Sequence, residues 1–292
     1  MLHQSRYSFN RHLLQEYVTP VLDDINFVHL EKLFSFITSL NPTFPEFMQT
    51  LLQMDVWKEN ALHLTYFPNL CLQLTQVIES GYDDNYKEPS YHSRKHFMDV
   101  CLVIHLLVLK NSSLSLREKS AWWLSPLDCW YLLISAIAHD YGHPGLMNKS
   151  LHQQELRSIQ LLHTFLDSQT FPNKAQCKAI SSTAIIATDP KDRAELVERV
   201  ASNKLITHSD KLNMLLVEAD LFASVLPIKG IELGIQLSEE FTQQNVQLAN
   251  LVKTPQGRLG FLNTVHFMSE QSHLLGAPHL LKEAILITQS EI

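Results

Sequence analysis

Apolar residues recur at helical spacing along almost the whole chain. Leu30, Leu33, Phe34 and Ile37 mark one face, and Leu70, Leu72, Leu74 and Val77 another. Leu51, Leu52, Met54 and Val56 lie in a less regular stretch between them, and a polar loop runs from Glu79 to Ser90. Helices are then predicted over His92–Leu109, Pro126–His139, Leu151–Leu166, Lys174–Ala187, Asn213–Leu226, Ile231–Ala249 and Leu259–Met268, with a last one near Leu280–Ile287. Asn41-Pro42, Ser125-Pro126, Asp189-Pro190 and Thr254-Pro255 punctuate these segments. No stretch alternates with the period of two that strands require. The expectation is an all-α, compact multi-helix bundle of ten or more helices. It reads as one domain over residues 1–292, with a helical N-terminal part (1–88), a motif-bearing core (89–261) and C-terminal helices (262–292).

Composition sharpens this. The chain has 8 glycines, where ordinary usage gives roughly 20 in this length. That argues against folds built from many tight turns and bulges. Net charge is −7 and no basic block occurs, so no nucleic-acid surface is expected. Cys71, Cys101, Cys129 and Cys177 lie far apart without a Cys-x-x-Cys pair, which fits buried, reduced thiols in a cytoplasmic or otherwise intracellular protein. The longest apolar runs, Val100–Leu109 (broken by His105) and Cys129–Ala138, fall short of the ~18 residues of a membrane span. Residues 1–14 carry Arg6 and Arg11 but no apolar core, and read as the start of the first helix.

Three segments can carry chemistry. Tyr91-His92-Ser93-Arg94-Lys95-His96-Phe97-Met98-Asp99-Val100, if helical, places His92 and His96 on one face, with Asp99 a turn beyond His96 and able to orient an imidazole. Ala138-His139-Asp140-Tyr141-Gly142-His143-Pro144-Gly145 ends a strongly apolar run. Adjacent His and Asp at a buried helix end are costly without partners, and a divalent cation is an economical one. Glu218-Ala219-Asp220-Leu221 sets carboxylates inside an apolar helix, where each wants a cation or several donors.

In this order, Tyr-His-x-x-x-His-x-x-Asp-Val, His-Asp-x-x-His-Pro-Gly-x-x-Asn (ending at Asn148), Thr188-Asp189 and Ala219-Asp220 resemble the catalytic domain of class I cyclic nucleotide phosphodiesterases, a branch of the HD-domain metal phosphohydrolases. The resemblance spans roughly Pro89 to Phe261. It implies a two-metal site that hydrolyses a 3′,5′-cyclic nucleotide, or a related small phosphoester, to the monophosphate. His96, His139, Asp140 and Asp220 match ligands of a Zn²⁺, and Asp140 also matches the carboxylate bridging to Mg²⁺ or Mn²⁺. His143, Thr188, Asp189 and Glu155 match the surroundings of that second ion, and His92 the proton donor to the leaving O3′. Two ions about 3.5–4 Å apart would generate a bridging hydroxide at neutral pH. Tyr91, Arg258 and Phe261 are the substrate-binding candidates, and a homodimer is compatible with the resemblance.

The match departs at the base-recognition motif. The family's Gln-x-Gly-Phe reads Arg258-Leu259-Gly260-Phe261 here, with Gln256 two residues out of register. Phe261 suits stacking on a base. Arg258 has five donors and no acceptor, so it suits an acceptor-rich edge, a cyclic pyrimidine or another anionic ester, or is a surface arginine after a turn. In the first case Arg258→Gln would shift preference toward ordinary purine substrates. Ser93 replaces an asparagine, Pro190 a methionine, and Asp220-Leu221-Phe222-Ala223-Ser224 replaces Asp-x-Ser-Asn-Pro. The alternatives are therefore an HD-type hydrolase of another phosphoester, or a non-catalytic protein that keeps the fold.

Overall fold

The computed structural model describes residues 9–81, 88–115, 120–202 and 206–292. Residues 82–87 of the expected Glu79–Ser90 loop and the N-terminus before Phe9 lie outside them, and Glu79–Gly81 are helical instead of loop. The described residues form sixteen α-helices and no strand. In chain order they are α1 Arg11–Asp23, α2 Phe27–Leu40, α3 Phe44–Leu52, α4 Asp55–Ala61, α5 Tyr66–Gly81, α6 Arg94–Ser115, α7 Pro126–Ala138 and α8 Gln153–Ser168. Then come α9 Lys174–Ile186, α10 Pro190–Ser202, α11 His208–Phe222, a 3₁₀ turn at Ala223–Val225, α12 Lys229–Phe241, α13 Val246–Val252, α14 Pro255–Leu262, α15 Glu270–Leu274 and α16 Ala277–Ser290.

The punctuation residues act as expected of them. Ser125 opens α7 with a reciprocal capping box to Asp128, and Thr254 accepts from the Gly257 N–H at the start of α14. Asn41 ends α2 in the left-handed region at φ 46°. Other predicted boundaries move. The Ile231–Ala249 helix divides into α12 and α13 at the turn over 242–245, where Asn245 caps the new helix. Leu259–Met268 becomes α14, which stops at Leu262. The weakly periodic stretch after Leu51 holds the short α4, and the polar α10 has too few apolar positions to announce itself.

Helices α6, α7 and α11 pack against one another at the centre of one hydrophobic cluster. Every residue of α7 from Asp128 to Ala138 is buried, and α11 is buried on all sides from Asp210 to Ala219. A helix that is apolar all round belongs inside. The Arg94–Leu114 part of α6 is long and apolar enough to cross a membrane by length and composition, longer than the run read from sequence. Of that window 78% is buried inside the protein, so its apolar surface is already used. His105, which interrupts the run, is fully buried and accepts a 3.1 Å hydrogen bond from the Trp57 indole. Burial pushes its pKa down to about 3, so it stays neutral. All four cysteines are buried and unpaired.

Glu218 and Asp220, two residues apart on α11, meet different environments. The buried Glu218 carboxylate accepts from the backbone N–H groups of Met268 and Ser269 and from the hydroxyls of Ser269 and Ser272, tying α11 to the start of α15. Several donors, not a cation, satisfy it. Glu218→Ala leaves these donors unpaired in the interior and is expected to lower unfolding stability by about 3 kcal/mol or more. Glu218→Gln retains an acceptor and should lose less; urea titration of the two variants checks the order.

Candidate metal centre

The site lies where α6, α7 and α11 come together. His96 stands in the first turn of α6, His139 and Asp140 in the turn that ends α7, and Asp220 near the end of α11. Their polar atoms converge. His96 Nε2 lies 3.0 Å from Asp220 Oδ1 and 3.6 Å from Asp140 Oδ2. His139 Nε2 lies 3.0 Å from Asp140 Oδ2, 3.7 Å from Asp220 Oδ1 and 3.2 Å from His96 Nε2. Four ligands at ~2.0–2.2 Å around a tetrahedral ion sit roughly 3.3 Å from each other, so two nitrogens and two carboxylate oxygens already span a cation-sized space. His139 Nδ1 donates to the Ala136 carbonyl at 2.8 Å, which turns the Nε2 lone pair toward the others. Both imidazoles are 1–2% exposed.

The electrostatics agree with the donor set. Burial disfavours a charged His139, yet Asp140 and Asp220 overcome it and push its pKa up to about 9. Burial would raise Asp140, but His139, His92 and His143 hold it well below the usual carboxylate range. Two half-buried carboxylates, each within 3.0 Å of an imidazole, favour positive charge at this point. His96, His139 and Asp140 can hold a divalent cation, with Asp220 Oδ1 3.0 Å from His96 Nε2.

Around this cluster sit the other predicted residues. His143 stacks on His92 with ring centroids 3.6 Å apart, and its Nδ1 accepts from the Gly145 N–H at 3.1 Å. Burial and the neighbouring His92 push it down to about 3. Gly142 and Gly145 adopt φ of 75° and 70°, where other residues are strained. Asp189 is buried at the start of α10, where one carboxylate oxygen accepts from the Lys191 N–H at 2.9 Å and the other from the Asn148 amide at 3.3 Å. The same amide donates to Glu155 at 3.0 Å, so Asn148 joins Glu155 to Asp189. Thr188 turns its hydroxyl back onto the Ile185 carbonyl at 2.8 Å.

Three expectations are corrected. His92 and His96 do not share a helix face, because α6 begins at Arg94 and His92 lies in the preceding bend. Asp99 does not orient His96; it forms a buried ion pair with Lys229 on α12 at 2.8 Å, and the His96 Nδ1 has no hydrogen-bond partner. Arg258 is neither an open base reader nor a surface arginine. Its guanidinium donates to the carbonyls of Ser224, Val225 and Leu226 at 3.3, 3.4 and 2.9 Å, closing the end of the 3₁₀ turn after α11.

Two residues were missed. Glu240 on α12 accepts from the Tyr91 and His92 N–H groups at 2.6 and 2.9 Å through Oε1, and meets His92 Nδ1 at 2.5 Å through Oε2. Burial alone would lower the His92 pKa, but Asp140 and Glu240 raise it above the ordinary value. Arg193, half-buried one turn after Asp189, lies in the field of Asp220, Tyr91 and Asp189. Neither had a local signal: Glu240 is one of several acids on an amphipathic helix some 150 residues from His92, and Arg193 sits in a charged stretch of α10.

Divalent cation is expected to raise the melting temperature, since ligand at 100 times Kd adds about 2.7 kcal/mol. Asp140→Ala and Asp220→Ala should each abolish that gain, and Glu155→Ala should only weaken it; thermal scans with and without Zn²⁺ or Mn²⁺ check this.

Comparison with known proteins falls on the same residues. Residues 91–166 match the 3′5′-cyclic nucleotide phosphodiesterase family. The dual specificity calcium/calmodulin-dependent 3′,5′-cyclic nucleotide phosphodiesterases 1C of Mus musculus and Homo sapiens are 32% identical to this chain over 77 residues, 26% of its length and 10% of theirs. The protein of the same name from Rattus norvegicus is 32% identical over 77 residues, 9% of its own length. The match thus spans about a tenth of these relatives. His92, His96, His139, Asp140 and His143 all fall inside residues 91–166, the stretch over which this chain is similar to the 3′5′-cyclic nucleotide phosphodiesterase family.

Proposed function

We propose that this protein hydrolyses a 3′,5′-cyclic nucleotide to the 5′-monophosphate, with His92 as general acid. The observation that carries the reading is the pairing of two distinct units: a cation-sized cluster of His96, His139, Asp140 and Asp220, and beside it an imidazole gripped by a carboxylate. In this reading His96, His139, Asp140 and Asp220 would hold Zn²⁺, and Asp140 with His143, Glu155, Thr188 and Asp189 would serve a Mg²⁺ or Mn²⁺. Such ions supply Lewis acidity toward the phosphate and lower the pKa of a water molecule.

The chain's own residues do the rest. Glu240 holds His92 at Nδ1 and fixes the backbone on both sides of it, so Nε2 is the free, proton-bearing atom. As the P–O3′ bond breaks and a water oxygen forms the new P–O bond, His92 Nε2 delivers its proton to O3′. The buried Glu240 keeps that proton available at neutral pH. His143, uncharged and stacked on His92, limits the rotation of the donor without competing for charge. Phe261 and Tyr91 line a cavity of about 340 Å³, and a base entering it would meet the Phe261 ring. Tyr91 joins the two regions, since its ring lies 4.7 Å from that of His96.

His92→Ala is expected to lower kcat by about 10²–10⁴-fold while divalent-cation binding persists; Asp140→Ala should lose both. Because the protonated form of His92 is the active one, activity should fall as pH rises through its raised pKa. Glu240→Gln removes the carboxylate that helps raise it, so the alkaline limb should move to lower pH. Metal analysis and pH–rate profiles of the three variants decide whether the roles are correctly divided.

A further inference from the structure

The cavity next to the metal centre is walled mainly by Ile231, Leu237, Val252 and Phe261, with Tyr91 at its inner end. What matters for selectivity is which polar groups on its lining remain to be offered. Arg258 is committed to three backbone carbonyls. It is also boxed in: a side chain at Gly230 would meet the Arg258 Nη1 at 2.5 Å and the Ser224 carbonyl oxygen at 2.2 Å. The close seat of the guanidinium on the 3₁₀ turn therefore depends on Gly230, and the arginine is part of the wall. Thr254 donates to the Leu251 carbonyl at 2.7 Å and accepts from the Gly257 N–H at 3.1 Å. Ser224 lies near the Tyr91 hydroxyl. Gln256, whose amide carries both a donor and an acceptor, is exposed and is not on the lining. Lys253 and Glu291 remain, both exposed at the rim on opposite sides of the charge scale.

From this we infer that the cavity selects a flat ring by stacking and shape and does not discriminate between bases: the protein takes cyclic purine and cyclic pyrimidine nucleotides with similar efficiency. The inference rests on the proposed phosphodiesterase reading. Its physical basis is an asymmetry in how sites discriminate. A pocket that presents fixed donors and acceptors rejects a mismatched partner by about 10⁴–10⁵-fold, because its own polar groups are left unpaired, whereas an apolar pocket separates similar ligands by only about 10–200-fold. Here Arg258 and Thr254 are turned onto the backbone before any ligand enters, and the charged Lys253 and Glu291 stand exposed at the rim. No base leaves them unsatisfied, so no base is strongly refused. The arginine in the position of the family's glutamine thus shapes selectivity by being unavailable.

The test measures kcat/KM and, in parallel, equilibrium affinity for cyclic AMP, GMP, CMP and UMP, using the full chain loaded with Zn²⁺ and Mn²⁺. The expected result is a spread within about 100-fold across the four in both quantities. A preference of 10³-fold or more for one base overturns the inference. Similar binding of all four without turnover leaves the inference standing and sinks the hydrolase reading; binding of none overturns both. Two variants separate wall from reader. Phe261→Ala should weaken all four by a common factor of about 5- to 150-fold, the worth of one stacking contact. Arg258→Gln should lower the melting temperature and reduce all four alike. If it instead restores strong preference for a purine, Arg258 reads the base and the inference is wrong; if it does not fold, Arg258→Lys, which keeps a donor to the carbonyls, gives the same comparison.

Discussion

The junction of three buried helices, where two imidazoles and two carboxylates face inward, is the constraint on which the rest of the structure turns. Such a cluster is expensive in an apolar interior unless opposite charge or a cation offsets it. The fold meets that demand by position. Each of α6, α7 and α11 runs largely buried through the core and brings its site residues to one end, His96 at the start of α6, His139 and Asp140 just past α7, and Asp220 near the end of α11. The helices are held rigidly by their own burial, so their polar residues arrive with little freedom to move apart. A site formed this way is preorganised by the same packing that stabilises the protein.

Outside the junction, the remaining elements brace it. Helix α12 does so twice: Lys229 pairs with Asp99 on α6, and Glu240 grips the bend that carries His92. Its own start is capped by Glu31 of α2 through the Ile228 and Lys229 N–H groups. The N-terminal helices thus reach the site through one continuous line of charge-assisted contacts. Gly145 belongs to the same line, because a side chain there would stand 3.3 Å from the Glu240 carboxyl carbon and 3.1 Å from Pro89. The glycine-poor chain spends this glycine where a loop must pass close to a positioned carboxylate.

The all-helical fold was legible in the sequence because helix period and its breaks are local properties. So was the clustering of His96, His139 and Asp140, which sit within or beside apolar runs where polar residues are conspicuous. Residues whose meaning depends on a distant partner were not. Asp99 follows His96 by one turn, yet its neighbour in space comes from α12, 130 positions away. Glu218 and Asp220 look alike in sequence, and only the arrival of α15 separates a structural carboxylate from one in the site. Helix capping hid another case: α6 starts at Arg94, so the interval from His92 to His96 spans a bend as well as a turn of helix.

Arg258 shows how far position in a motif can mislead. Its place in the chain suggested a contact to substrate, and its chemistry suggested an anionic or acceptor-rich one. The structure gives its donors to the carbonyls of Ser224, Val225 and Leu226, in and just after the 3₁₀ turn that follows α11. That turn lies directly after Asp220, so an arginine at the far end of the cavity steadies the helix that delivers a residue of the metal centre. The two ends of the site therefore differ in physical character. At the phosphate end, charged groups converge in a buried space and fix what chemistry is possible. At the other end, polar groups turn away from the cavity into the backbone, leaving aromatic and aliphatic surface to meet the ligand. Under the proposed function, a cyclic nucleotide would be oriented by its phosphate and merely accommodated by its ring.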